Sequence, residues 1–293
     1  MRGVEYLPSF RPTSCPAKTP ITAARVGAGI TGIEAQMEMA KHKSVVVTGS
    51  NPDVGLVGWL TGGGHGPLTS YYGMGADNLL EATVVTPSGD LLIANPCKNS
   101  DLFFAIRGGG GGTYGVVTEV VVKAFPDPKT TKVFFQMSTT GPNITTEYWN
   151  IMGFFHAHMQ KMKEQGLQGY YYMVGPPSYP VYAFLGLFTI YNKPNGTMEK
   201  IWAPIVEEID RRPGSFVYMS QITYSDTFLG AYNTVTNEPV ASGGSAFGSW
   251  LLSPRSLADA NVTAKLFTEI GATMDPSRPN VSIPSIHNGS NEG

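Results

Sequence analysis

Charge is scarce in this chain. Aspartate, glutamate, lysine and arginine make up 14% of its 293 residues, and the formal net charge is −2. That balance gives no electrostatic case for nucleic acid or for an anionic membrane. No uninterrupted apolar run approaches the ~18 residues that a membrane-crossing helix needs. The N-terminal stretch MRGVEYLPSFRPTSCP lacks the apolar segment of a secretory signal. Cysteine is nearly absent: Cys15 and Cys97 either pair once or remain two small hydrophobes. Three motif types are missing altogether. There is no G-x-x-x-x-G-K-[ST] loop, no G-x-G-x-x-G between a strand and a helix, and no G-x-S-x-G nucleophile turn. No His/Cys/Asp/Glu cluster points to a metal, and His156 and His158, two apart on a helix, face different directions.

What the chain does have is glycine, 35 residues of it, with 22 prolines to punctuate many turns. Two segments are dense in it: Gly62-Gly63-Gly64-His65-Gly66 and Arg107 followed by Gly108 to Gly112, Thr113, Tyr114 and Gly115. Between them lies Tyr72-Gly73-Met74-Gly75-Ala76-Asp77-Asn78. Glycine lets backbone N–H groups approach a ligand closely and permits positive φ, which suits a phosphate or diphosphate. By content alone, loops that hold no ligand are at least as good a reading. Asp77 is read as fixing its own loop, because a buried carboxylate needs donors, and Arg107 answers either Asp77 or a phosphate.

Periodicity divides the chain in two. Residues 22–27 and 44–48 read as strands, and Thr31 with Glu34 forms a capping box for a helix between them. Leu80–Thr86 and Leu91–Ala94 read as a hairpin, Leu102–Ile106 as a short helix and Val116–Phe125 as a strand that stops at Pro126-Asp127-Pro128. Beyond it, Tyr148, Met152, Phe155, Met159 and Met162 mark an amphipathic helix ended by Gly166. A second helix carries Met198, Ile201, Trp202, Ile205 and Ile209, with Pro204 inside or restarting it. Strands at 133–138, 169–174, 181–191 and 216–224 complete the pattern: an antiparallel sheet with helices on one face.

The order of motifs carries more than any one of them. Asn51-Pro52-Asp53-Val54-Gly55-Leu56-Val57-Gly58, then the glycine run with His65, then YGMGADN, then SDLFFAIR and GGGGGTYGVV, closely resembles one family. It is similar to the FAD-linked oxidases of the vanillyl-alcohol-oxidase superfamily, in the berberine-bridge-enzyme-like branch with its many fungal members. The match covers about residues 20 to 126.

The resemblance implies an α+β fold. A partial FAD-binding domain of the PCMH type, residues 1–126, is followed by a partial substrate domain, residues 127–293, with an antiparallel sheet under helices and a polar tail over Met274–Gly293. It implies FAD as cofactor, a small-molecule substrate and O2 as partners, and no metal. Val54, Gly55, Gly58, Gly62, Gly63, Gly64, His65 and Gly66 would run along the flavin ring, ribityl chain and diphosphate. Gly115, Val116 and Val117 would meet the adenosine end. Some of these glycines are expected only to permit tight turns. Asn51 stands where bicovalent members carry a cysteine, which excludes a cysteinyl link and leaves a histidyl one in a full-length form. Val54 stands where the family controls oxygen access, and valine there looks like an oxidase. No catalytic base is identified.

Members of the family carry a further flavin-domain stretch upstream and a returning segment downstream. The expectation is therefore a central part of a longer oxidase, with a truncated, non-catalytic paralogue as the alternative. Five N-x-[ST] sequons, at Asn143, Asn195, Asn261, Asn280 and Asn288, lean toward a secreted glycoprotein.

Overall fold

The computed structural model describes residues 2–232 and 251–272. The chain forms two compact units: residues 2–128 with 226–232, and residues 129–225 with 251–272. The tail over Met274–Gly293, with Asn280 and Asn288, lies outside the described residues.

The first unit is built on a five-stranded antiparallel sheet. Its strands are β1 (Val4–Phe10), β2 (Ile21–Gly27), β4 (Leu79–Val85), β5 (Leu91–Ala94) and β6 (Val116–Lys123), in the order β1-β2-β6-β4-β5. The Val120-Val121-Val122 run at its centre is buried on both faces, which suits β-branched side chains. Helix α1 (Gly32–Ala40) starts at the expected capping box, where the Thr31 N–H donates to the Glu34 carboxylate at 2.9 Å. The strand expected over 44–48 shortens to β3 (Ser44–Val45), paired with β7 (Phe125–Pro126). Val46, Val47 and Thr48 stay buried but leave the ladder, and the Gln36 amide takes the Val46 carbonyl at 2.6 Å. Short helices α2 (Leu56–Thr61), α3 (Thr69–Tyr72) and α4 (Ser100–Ile106) complete this part of the chain.

Cys15 and Cys97 form a disulfide across 82 residues. Beside it Asn95, fully buried, uses both ends of its amide. Its Nδ2 donates to the Thr13 carbonyl and to Glu81, each at 2.8 Å, and its Oδ1 accepts from the Cys97 N–H at 2.8 Å. Glu81 also accepts the Thr13 N–H at 2.6 Å. The two loops are thus joined covalently and by a satisfied polar cluster, as buried polar groups require.

The second unit has the four-stranded antiparallel sheet β11-β8-β10-β9, from β8 (Thr130–Thr139), β9 (Gln168–Val174), β10 (Ala183–Tyr191) and β11 (Phe216–Ser225). One face is covered by α5 (Thr145–Glu164) and α6 (Thr197–Asp210). Phe135, Phe184, Phe188 and Tyr171 from the strands pack there with Phe155 and Trp202 from the helices. Pro204 sits within α6, which continues through it. Over residues 251–272, α8 (Pro254–Leu257) and α9 (Ala260–Ile270) form, and α9 crosses α5 at Gly153. A Cβ at Gly153 would lie 2.2 Å from the Ala260 carbonyl. After β11 the chain contributes α7 (Phe228–Tyr232) to the first unit.

Candidate functional site

Two of the three glycine-bearing motifs meet around one residue that the sequence did not single out, Trp59, and the third reaches the end of the same helix at Thr61. Helix α2 has two faces. Leu56, Val57 and Leu60 are buried in the core, while Gly55, Gly58 and Gly62, spaced three and four apart, lie exposed along the opposite side. Trp59 extends sideways, and its indole N–H donates to the His65 carbonyl at 2.9 Å. Gly64 packs flat against this indole, as does Gly75 from the YGMGADN segment; a Cβ would lie 2.9 Å and 2.4 Å from the ring respectively. Backbone bonds join the motifs: Gly75 N–H to Gly64 O at 2.7 Å, Ala76 N–H to Gly63 O at 2.9 Å, and Gly110 N–H to Thr61 O at 2.9 Å.

The glycines separate by physical role. At Gly55, Gly58 and Gly63 an added Cβ would meet nothing within 4 Å. At Gly66 it would lie 1.9 Å from the Thr48 carbonyl, and at Gly115 2.6 Å from the Val85 carbonyl. Gly64, Gly66 and Gly115 are therefore needed by the chain's own packing, whereas Gly55, Gly58 and Gly63 leave backbone open to a neighbour. Gly63 and Gly64 also have φ of +104° and +73°, in the left-handed region.

Asn51 serves its own loop: its Oδ1 accepts the Asp53 N–H at 2.9 Å, an Asx turn. The segment after it is held by the start of α1, where Gly32 N–H donates to Val54 O and Ile33 N–H to Pro52 O, both at 2.9 Å. Leu56 N–H returns a bond to Ile30 O at 3.0 Å. Val54 is half-buried and the His65 side chain exposed on this loop system. Gly115, Val116 and Val117 are set apart from the Trp59 cluster in role: they open β6, and Val116 and Val117 pair with Val85 and Val84 of β4.

Asp77 and Arg107 resolve each other. Asp77 accepts the Met74 N–H at 3.0 Å and faces the Arg107 guanidinium at 3.5 Å, while Arg107 Nε donates to the Ala76 carbonyl at 2.8 Å. Asn78, buried, closes the same segment by donating to the carbonyls of Tyr72, Gly73 and Met74. Tyr72 stacks on Phe125 with centroids 3.9 Å apart. Among the described residues no cluster of three His, Cys, Asp or Glu side chains is placed to hold a metal, and no helix is long and apolar enough to cross a membrane.

In the second unit the uncovered sheet face is set by strand register. Tyr170 and Tyr172 stand on it beside Leu187 and Leu185, which pair in turn with Phe134 and Gln136. Tyr171 and Tyr182 are buried instead. His156 is buried on α5, its Nδ1 2.6 Å from the Met152 carbonyl and its Nε2 2.7 Å from the Tyr171 hydroxyl. A carbonyl only accepts, so Nδ1 carries the proton and Nε2 accepts from the phenol. His158, by contrast, bonds its own helix at the Phe154 carbonyl.

An antiparallel α+β unit with an open glycine face, adjoining motifs in the order described, defines a flavin-binding domain of the VAO type. Residues 21–95 match the FAD binding domain family, and the chain is homologous to fungal FAD-linked oxidoreductases and VAO-type flavoproteins. It is 33% identical over 281 residues to an uncharacterized FAD-linked oxidoreductase of Arthroderma benhamiae, covering 91% of this chain and 47% of that one. A crystal structure of a VAO-type flavoprotein from Myceliophthora thermophila C1 matches with a TM-score of 0.74 and 26% identity, over 92% of this chain and 48% of that one. A chitooligosaccharide oxidase shares the fold, with a TM-score of 0.55 and 23% identity over 75% of this chain and 43% of that one. The chain spans less than half the length of the curated relatives it matches.

The residues present fit FAD on a structural ground, the open backbone at Gly55, Gly58 and Gly63. A dinucleotide packs closely only where side chains are absent.

Proposed function

We propose that this chain supplies flavin-holding and substrate-facing parts of an FAD-dependent oxidoreductase acting on a small organic molecule, such as an alcohol, a sugar or a secondary metabolite. The observation that carries the reading is the exposed Gly55, Gly58 and Gly62 face of α2, which lies inside the segment matched by the FAD binding domain family. Bound FAD supplies hydride acceptance from the substrate, with O2 as the final electron acceptor.

The chain's own residues bind and orient. Val54, Gly55, Gly58, Gly62, Gly63 and His65 would line the cofactor, and Gly64 and Gly66 would fix the path of that loop. Gly115, Val116 and Val117 would take the adenosine end. Asn51 has no thiol, so a covalent link would be of the histidyl kind. Tyr170, Tyr172, Leu185 and Leu187, on the open sheet face, would exclude water and meet the substrate. The Cys15–Cys97 disulfide, with exposed sequon asparagines at 143, 195 and 261, supports passage through an oxidising, glycosylating compartment.

The test is a visible absorption spectrum of the purified chain with added FAD, before and after acid precipitation. A flavin band released to the supernatant is the expected outcome. No band after FAD addition would overturn the reading in favour of a non-catalytic protein that keeps the domain signature.

A further inference from the structure

Tyr232 lies at the end of α7, in the stretch that follows the second unit's last strand. Its side chain is nonetheless buried in the first unit, 1% exposed, and its hydroxyl donates to the Gly49 carbonyl at 2.8 Å. Three pieces of chain meet at that phenol. Gly32, at the start of α1, lacks the Cβ that would lie 2.9 Å from the Tyr232 oxygen and 3.4 Å from Thr48 Cβ. Gly32 also holds the next loop, through its bond to the Val54 carbonyl. Gly49 in turn abuts the Trp59 indole, where a Cβ would lie 3.2 Å from Nε1.

Anchoring is specific. The Phe228 N–H donates to the Asp127 carboxylate at 2.7 Å, and the Phe228 and Tyr232 rings stack with centroids 5.2 Å apart. A helix of five residues has no stability of its own, so docking orders it. Burial pushes the phenol up to about 12, so it stays a donor across the ordinary pH range.

We infer that Tyr232 is a positioning residue for the loop 48–55, so that the cofactor face of the first unit is completed by a segment the chain supplies only after its second sheet. The phenolic oxygen occupies the space beside Gly32. The hydroxyl adds an aimed donor that fixes the Gly49 carbonyl, and with it the approach of the chain to Val54, Gly55 and the Trp59 cluster. The inference rests on the flavin reading above.

The test compares the unsubstituted chain with Tyr232→Phe and Tyr232→Ala. Three quantities are measured: FAD affinity by flavin-fluorescence titration, the visible spectrum of the flavin that binds, and amide exchange over residues 48–56. Tyr232→Phe keeps the ring and loses the hydroxyl with its hydrogen bonds to the Gly49 carbonyl and the Thr48 side chain. It is expected to weaken FAD by about five- to tenfold, to alter the flavin band, and to speed exchange in the loop without changing exchange in β6. Tyr232→Ala is expected to lose more; should it fail to fold, Tyr232→Phe decides alone. FAD binding and loop exchange in Tyr232→Phe that match the unsubstituted chain would overturn this inference and leave the flavin reading standing. An unsubstituted chain that takes up no FAD would overturn both.

Discussion

The Trp59 indole and Gly75 are in direct contact: a Cβ on Gly75 would come within 2.4 Å of the ring. Gly64 meets the same indole, so a tryptophan on a six-residue helix sets where two separate glycine motifs lie. Close packing of this kind leaves no slack.

Two glycine substitutions should therefore behave oppositely. Gly75 has right-handed helical φ and ψ, so Gly75→Ala is opposed by the clash with Trp59 alone. It should cost about 1–3 kcal/mol, read as a lower urea midpoint. Gly58 lies inside α2 with open space above it. Gly58→Ala should gain up to about 1 kcal/mol in stability while lowering FAD uptake. Unchanged FAD uptake in Gly58→Ala would remove the α2 face from the cofactor site.

The His156–Tyr171 pair predicts acid sensitivity. Burial lowers His156 to about 4 from its ordinary 6.5, partly opposed by the Met152 carbonyl. The unfolded chain thus binds the proton before the folded one. The stability from neutral His156 is complete above about pH 6.5 and is lost as pH falls toward about 4, by roughly 3 kcal/mol. Denaturant unfolding from pH 7 to pH 4, beside His156→Phe, checks this: the variant should show a shallower decline.

Reduction of Cys15–Cys97 should lower stability markedly. The bridge closes a loop with a sequence separation of 82 residues, which in the chain-entropy account corresponds to about 4.5 kcal/mol as an upper figure. Cys15→Ala with Cys97→Ala should show the loss by thermal unfolding, with faster exchange at Thr13 and Asn95. An unfolding curve indifferent to reductant would mean that the Glu81–Asn95 cluster suffices.

Asn143 and Asn195 are exposed in the turns that precede α5 and α6, and each sequon threonine opens its helix. Both should carry N-glycans in protein isolated from its natural source. Peptide mass spectrometry before and after glycosidase treatment is the measurement; unmodified peptides at both positions would end the secretory reading.

Local signals were legible where chemistry is local. The capping box at Thr31 and Glu34 formed at the residues that spell it, and the four strands of the second unit, with helices α5 and α6, follow apolar periodicity and turn residues. The exceptions have physical causes. Val46 and Val47 read as strand because burial and β-branching are shared by strands and by buried coil; their backbone is answered in part by Gln36 rather than by a ladder. Arg107 had two acceptable partners in sequence, and only proximity chose Asp77.

The sequence by itself determined the class of fold, the flavin-type motif order and the alternation of faces, because these depend on spacing along the chain. Tertiary structure alone decided which glycines serve the protein and which stay open. Gly64, Gly66 and Gly58 are alike in sequence, and only the arrival of Trp59 or Thr48 beside the first two tells them apart. It also decided that Tyr232 reaches Gly49 across 183 residues, since no local period encodes a contact made by folding back.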